Sequence, residues 1–167
     1  MRIRAAVITV SDKGYAGERE DVSGPILSQA LESISADVLE RLIVPDEPEL
    51  IAAALMELAD VKGIELILTT GGTGPAPRDR TPEATRSVIE REMPGLAEAL
   101  RFEGYRKTPR AVLSRGIAGI RGRCLIVNLP GSPRAVQEGM QVLVPVLPHA
   151  IQMMRGEDLE HGSEAHV

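Results

Sequence analysis

At 167 residues, 43% of them hydrophobic, the chain is sized for one domain around one substantial core. A formal charge of −5 and a pI near 5.3 exclude a protein that coats nucleic acid with a basic surface, and an aromatic content of 2% removes the stacking platforms that bind single strands. A small anionic ligand stays compatible, because a few placed arginines and backbone amides suffice locally.

Residues 4–10 are apolar and β-branched, which predicts a buried strand. Met1-Arg2-Ile3-Arg4 runs directly into it without a signal-peptide pattern, and no stretch approaches the roughly 20 continuous apolar residues of a membrane span, so a cytoplasmic protein is expected. Ser11-Asp12-Lys13-Gly14-Tyr15-Ala16-Gly17 predicts a polar loop. Apolar residues then recur at helical intervals over 22–34, with Ser23 as cap and Pro25 in the first turn. A second strand over 37–44 is stopped by Pro45-Asp46-Glu47-Pro48, after which Leu50, Ile51, Ala54, Leu55 and Leu58 mark an amphipathic helix.

A third strand spans 66–70. Past the glycine-rich stretch that follows, a helix is predicted over 81–92, capped by Thr81 with Pro82 in its first position; Pro94-Gly95 breaks it and a shorter helix covers 96–102. Residues 105–122 carry no decisive pattern: Lys107-Thr108-Pro109-Arg110 reads as irregular, and 111–120 fits a short helix or edge strands. Residues 123–129 predict another strand, whose Cys124, the only cysteine, forms no intramolecular disulfide and reads as a small hydrophobe. Pro130-Gly131-Ser132-Pro133 opens a helix through residue 142, and a Pro-interrupted helix over 144–154 closes a domain placed at residues 1–155. Residues 156–167 read as a mobile tail. His149 falls in the last helix and His161 and His166 in the tail, so no pair has the spacing of a zinc site.

Strands alternating with helices along the whole chain predict an α/β fold of three layers, with helices on both faces of a mostly parallel sheet. Ligands in such folds bind beyond the carboxyl ends of the strands. Four strand exits here carry unusual loops: Ser11-Asp12-Lys13, Pro45-Asp46-Glu47, the glycine loop with Asp79, and Asn128-Leu129-Pro130-Gly131-Ser132. Loops far apart in sequence would thereby line one rim.

The glycine loop, Thr69-Thr70-Gly71-Gly72-Thr73-Gly74-Pro75-Ala76-Pro77-Arg78-Asp79-Arg80, is the most informative stretch. Its glycines let the backbone approach an anion without Cβ clashes, and its N–H and hydroxyl groups are donors at a strand-to-helix handover, a phosphate-binding location. A flexible linker would not need Arg78, Asp79 and a helix start. Two familiar fingerprints fail: the P-loop requires Gly-Lys-Ser/Thr where Pro75-Ala76 follows Gly74, and the dinucleotide fingerprint requires a third glycine where Pro77 stands.

Thr70-Gly71-Gly72-Thr73-Gly74, continuing through Arg78-Asp79 and Thr81-Pro82-Glu83-Ala84, resembles the Mog/MoaB family of molybdenum cofactor biosynthesis proteins. Ser11-Asp12, Pro45-Asp46-Glu47, Leu113-Ser114-Arg115 and Asn128-Leu129-Pro130-Gly131-Ser132 match too, in the family's order, so the resemblance runs from about Arg4 to Met154. It implies a homotrimeric α/β molybdopterin adenylyltransferase that uses Mg²⁺ and ATP to attach AMP to the terminal phosphate of molybdopterin and releases pyrophosphate. It also implies an upstream molybdopterin synthase and a downstream molybdenum-insertion enzyme as partners. By position, Asp46 and Asp79 are the catalytic, metal-holding aspartates. Ser11, Asp12, Thr70, Gly71, Gly72, Thr73, Gly74, Ser114, Asn128, Pro130, Gly131 and Ser132 are the expected substrate- and nucleotide-binding positions.

Joining two anions needs charge neutralisation more than covalent help, so hard oxygen ligands and aligned N–H donors suit the reaction. Each residue also has a plainer role: Asp46 as the N-cap of the next helix, Asp79 as a surface ion pair with Arg78 or Arg80, Ser11-Asp12 as a turn pair, and Ser114-Arg115 as solvated side chains. Two alternatives stay open. One is a MoaB-type protein that binds molybdopterin or nucleotide with weak or no transfer; the other is a module of the kind built into larger molybdenum-insertion enzymes or a neuronal scaffold protein.

Overall fold

The structure is a computed structural model and describes residues 2–157. Six strands lie in one sheet in the order β2-β1-β3-β6-β5-β4. Strands β1 (Ile3–Val10), β2 (Ala36–Val44), β3 (Leu66–Thr70) and β6 (Cys124–Leu129) pair in parallel, while β5 (Ala118–Arg121) and β4 (Arg91–Glu92) add an antiparallel edge. Every residue of β3 and β6 is buried, which is why both read as unbroken apolar runs and not as alternating ones.

One face of the sheet packs Leu66, Leu68, Val127 and Leu129 against α2 (Ser23–Glu32), α6 (Pro133–Leu143) and α7 (Leu147–Arg155) through Leu27, Leu31, Val136, Leu143 and Ile151. Opposite, Ile8, Ile67 and Ile126 meet Ile51 and Leu55 of α3 (Pro48–Met56) and Ala84 and Val88 of α4 (Thr81–Val88). These are the three expected layers. Cys124 is buried in the second cluster, where burial pushes its thiol up to about 12.

Several local expectations are corrected. The loop after β1 contains a short helix, α1 (Asp12–Tyr15), capped by Ser11, whose Oγ accepts from the Gly14 N–H at 3.0 Å. Ser23 does not cap α2: the Asp21 carboxylate accepts from the Gly24 N–H, and the Ser23 hydroxyl donates to the Gly131 carbonyl at 2.8 Å. Thr81 likewise does not cap α4, because its hydroxyl donates to the Gly71 carbonyl at 2.9 Å. In both cases a tertiary carbonyl outcompetes the helix's own amides.

The α4 helix stops at Val88 because Arg91 and Glu92 are drawn into β4 beside β5. Pro94 opens α5 (Pro94–Lys107), which is twice the predicted length; a proline in the first turn costs no hydrogen bond. The undecided stretch resolves into a 3₁₀ turn, Pro109–Leu113, and β5, joined to β6 through a tight turn at Gly122, whose φ is +54°. Of the expected tail, residues 158–167 lie outside the described residues.

Candidate active site

The chain leaves β1 toward β2 on one side and returns to β3 on the other, so the sheet order reverses between β1 and β3. That switch point is where open α/β sheets hold ligands. Gly71 crosses it with φ +97°, and a Cβ there would collide with the Val10 carbonyl at the end of β1. Gly72 follows at φ +66°, wedged against the Thr81 hydroxyl. No residue with a side chain fits either place.

Hydroxyl groups hold the surrounding carbonyls: Thr70 donates to Pro130 O at 2.7 Å, Ser23 to Gly131 O and Thr81 to Gly71 O, while the Gly71 N–H donates to Leu129 O at 3.1 Å. With the carbonyls taken, the N–H groups of Gly72, Thr73, Gly74, Gly131 and Ser132 have no acceptor among the described residues. Two runs of unpaired amides therefore stand side by side, Gly131 lying 3.3 Å from Gly71 measured at its added Cβ. Such concave runs bind anions. The positive end of α6 adds to them: Ser132 is its N-cap, accepting from the Ala135 N–H at 3.1 Å, and Pro133 is its first residue, as the sequence predicts.

These amides form one end of a cleft of about 720 Å³, between the sheet edge, α5, the 3₁₀ turn and α6. Of the sequence-predicted positions, Gly72, Thr73, Gly74, Asp79, Ser114, Asn128, Pro130, Gly131 and Ser132 line it. Thr70 and Gly71 support its floor from behind, and Ser11, Asp12 and Asp46 stand at the neighbouring strand exits. Arg101, Lys107 and Arg110 line it as well, and sequence reasoning missed them: Arg101 fell in a predicted helix given no role, and residues 105–122 had no assigned element. The readable signal was Lys107 and Arg110 flanking Pro109.

Asp46 does not cap α3; no side chain does. Its Oδ2 accepts from the Asp12 N–H at 2.9 Å, while its own N–H donates to Asp12 Oδ1 at 3.0 Å. Its other oxygen, Oδ1, faces Gly72, 3.2 Å from the place of a Cβ on that glycine. Burial raises the Asp46 pKa above the ordinary carboxylate range, and the charges of Asp12 and Asp79 add to that rise against the Asp12 N–H and Arg78. Asp46 and Asp79 thus sense each other's charge. Asp79 pairs with neither Arg78 nor Arg80: its Oδ2 accepts from the Ala76 N–H at 3.1 Å and lies against Gly74.

Asn128 is buried, and its amide is spent inside: Nδ2 donates to the Thr69 and Thr85 hydroxyls at 3.0 Å each, and Oδ1 accepts from the Ile117 N–H at 3.2 Å. It therefore braces the cleft floor. Arg115 is no free solvated side chain, since it donates to the carbonyls of Gly74 and Asp79 and to the Glu83 carboxylate.

Among the described residues no group of three or more His, Cys, Asp or Glu side chains forms a ready metal cage. The donor chemistry nevertheless fits Mg²⁺, which takes one or two protein carboxylates and completes its shell with phosphate oxygens and water. Asp46 Oδ1 and Asp79 Oδ1 are hard oxygens with no protein donor among the described residues, on two carboxylates that repel each other.

Fold and site together define an α/β protein with an amide-lined cleft beyond the carboxyl ends of β3 and β6. The family model described as "Probable molybdopterin binding domain" matches residues 6–149, and the chain belongs to that family. It is 43% identical over 166 residues to molybdenum cofactor synthesis protein cinnamon of Drosophila melanogaster, covering 99% of this chain but only 28% of the fly protein's length. It is 38% identical over 160 residues to molybdopterin adenylyltransferase of Helicobacter pylori, covering 95% of this chain and 91% of that one. The crystal structure of the molybdopterin biosynthesis enzyme MoaB from Thermus thermophilus superposes with a TM-score of 0.88 at 52% identity, over 93% of this chain and 98% of that one.

Proposed function

We propose that the chain is a molybdopterin adenylyltransferase that transfers AMP from Mg-ATP to the terminal phosphate of molybdopterin. An oxygen of that phosphate attacks the α-phosphorus of ATP, the bond to the β-phosphate oxygen breaks, and pyrophosphate leaves. The observation that carries this reading is the pair of unpaired amide runs, Gly72–Gly74 and Gly131–Ser132, with two carboxylates at their lip. Full-length relatives that bear the adenylyltransferase name support it.

The amides and the positive end of α6 hold phosphate oxygens and neutralise charge as it shifts toward the leaving pyrophosphate. Asp46 and Asp79 would hold the magnesium ion, which supplies Lewis-acid neutralisation between the phosphates when bound. The apolar wall of α5 and α6, through Ala97, Leu100 and Val142, excludes water from the reacting groups, and Lys107 and Arg110 supply cations along the cleft lining. A cytoplasmic homotrimer belongs to the same proposal. Exposed apolar residues beside the cleft, Phe102, Tyr105, Val112 and Leu113, support self-association. No helix among the described residues is long and apolar enough to cross a membrane.

Incubation of the purified protein with molybdopterin, ATP and Mg²⁺, read by mass spectrometry, tests the reading. Adenylylated pterin and pyrophosphate are expected. Binding of pterin without product favours the second reading, a MoaB-type protein that binds molybdopterin or nucleotide with weak or no transfer.

A further inference from the structure

Arg78 precedes Asp79 in the chain, but its guanidinium points to other loops. Nε donates to Asp12 Oδ2 at 2.6 Å, and Nη2 donates to Asp12 Oδ1 at 3.0 Å and to Glu47 Oε1 at 2.8 Å. Three strand exits meet in this fork: Asp12 follows β1, Glu47 follows β2, and Arg78 is carried by the loop after β3. Beneath it, Asp12 and Asp46 exchange backbone N–H groups for carboxylate oxygens. Asp12 Oδ1 thus accepts from Arg78 and from the Asp46 N–H at once, so the guanidinium is linked through one carboxylate to the Asp46 backbone.

We propose that Arg78 and Asp12 are positioning residues that aim the Asp46 carboxylate at the reacting phosphates without touching substrate themselves, an inference that rests on the adenylyl-transfer reading. Asp46 is pinned by one oxygen, Oδ2, and its free Oδ1 is thereby turned toward Gly72 and the amide run. The hydrogen bonds of the pair are spent on each other, on Glu47 and on the Asp46 backbone, which leaves only Arg78 Nη1 at the exposed edge of the fork. Both oxygens of Asp12 are engaged, and the fork of Arg78 is shared between two carboxylates in a cluster holding three carboxylates to one guanidinium. A planar fork of fixed geometry is required, since a lysine supplies the charge from a single point and cannot span Asp12 and Glu47 in this way.

The test compares wild type with Arg78→Met and Arg78→Lys in two measurements. The first is hydrogen exchange of the Asp46 amide in the substrate-free protein, followed by NMR. The second is steady-state adenylyl transfer. Arg78→Met is expected to speed Asp46 amide exchange about tenfold or more. It should also lower kcat on the order of 10–10²-fold while KM for ATP and for molybdopterin stays within about twofold, the signature of lost alignment. Arg78→Lys should fall between the two. Arg78 is exposed, so the fold is expected to persist; should Arg78→Met fail to fold, Asp12→Asn keeps an acceptor oxygen, breaks the ion pair and is expected to give the same kcat loss. A raised KM with unchanged kcat would overturn the proposal and make Arg78 a substrate ligand. Wild-type exchange at Asp46 in Arg78→Met overturns it whatever the activity. Wild-type protein that transfers no AMP, while Arg78→Met still frees the Asp46 amide, overturns the functional reading and leaves the latch standing.

Discussion

The guanidinium of Arg115 donates to the carbonyl of Gly74 at 2.9 Å across 41 residues of sequence, and its backbone N–H donates to the Thr73 carbonyl at 2.8 Å. The same side chain reaches the Asp79 carbonyl at 2.6 Å and the Glu83 carboxylate. The outer half of the glycine loop is therefore held from the segment after the 3₁₀ turn, which fixes carbonyls outward and amides inward.

Arg115→Met removes these side-chain bonds from a partly exposed position, so melting should change little while the loop loosens. The KM for molybdopterin is expected to rise about tenfold, because the amides lose their alignment before binding. Hydrogen exchange of the 72–79 amides should rise in parallel. Wild-type values for both would make the clamp incidental to the site.

Asn128 offers the opposite case, a residue at the cleft whose substitution should cost stability and not affinity. Asn128→Leu strands the Thr69 and Thr85 hydroxyls and the Ile117 N–H in a buried place. The expected loss is about 2–4 kcal/mol, read from urea unfolding. Protein that stays folded should keep its KM for molybdopterin. A selective KM increase at unchanged stability would instead make Asn128 a ligand.

Glu65 and Arg155 tie the two ends of the described chain together, with bonds of 2.7 and 2.9 Å, and Glu65 also accepts from the Arg4 N–H at 3.0 Å. Hydrogen bonding to Arg155 lowers the Glu65 pKa below 4.5 in the folded state. A lowered folded value stabilises the protein above the unfolded pKa, and that contribution is lost as pH falls through the folded one. Wild type should therefore lose stability more steeply than Glu65→Gln between about pH 5 and pH 3, with a difference of about 1–3 kcal/mol at neutral pH. Parallel acid limbs in thermal melts at stepped pH would refute the assignment.

What was legible in the sequence follows from how each segment is stabilised. The buried strands announced themselves through composition, because helices cover both faces and leave no polar alternation. The glycine loop was legible because the backbone at Gly71 and Gly72 has steric needs that few residues meet. The helix starts at Ser23 and Thr81 misled, because a hydroxyl's partner is set by the nearest tertiary carbonyl, which a local pattern does not contain. Residues 105–122 were opaque for a related reason: β5 is a four-residue strand that exists only by pairing to β6 on one side and to the two-residue β4 on the other. Arg78 marked the glycine loop as more than a linker and Arg115 stood in a segment that matches the family, yet nothing in the sequence shows that they bridge loops separated by dozens of residues.

The sharpest test of the chemistry is isosteric replacement at the two aspartates. Asp46→Asn keeps an oxygen to accept the Asp12 N–H and a backbone N–H for the Asp12 carboxylate, so local geometry is expected to survive. Asp79→Asn likewise keeps an acceptor for the Ala76 N–H. Each variant loses a negative charge where the reading needs a hard metal-binding oxygen, and removal of a transition-state stabiliser of this kind costs on the order of 10²–10³ in rate. Thermal melting and molybdopterin affinity should stay near wild type, while kcat at saturating ATP and Mg²⁺ falls by that factor. Removing the charge of Asp79 also takes away one of the repulsions that raise Asp46, so the remaining carboxylate cannot be weakened by its partner's loss. A fall in kcat in Asp79→Asn is then not the result of a protonated Asp46. Wild-type turnover in both would reject the metal-holding assignment, leaving Asp46 as half of a structural exchange with Asp12 and Asp79 as a brace for the turn at Ala76.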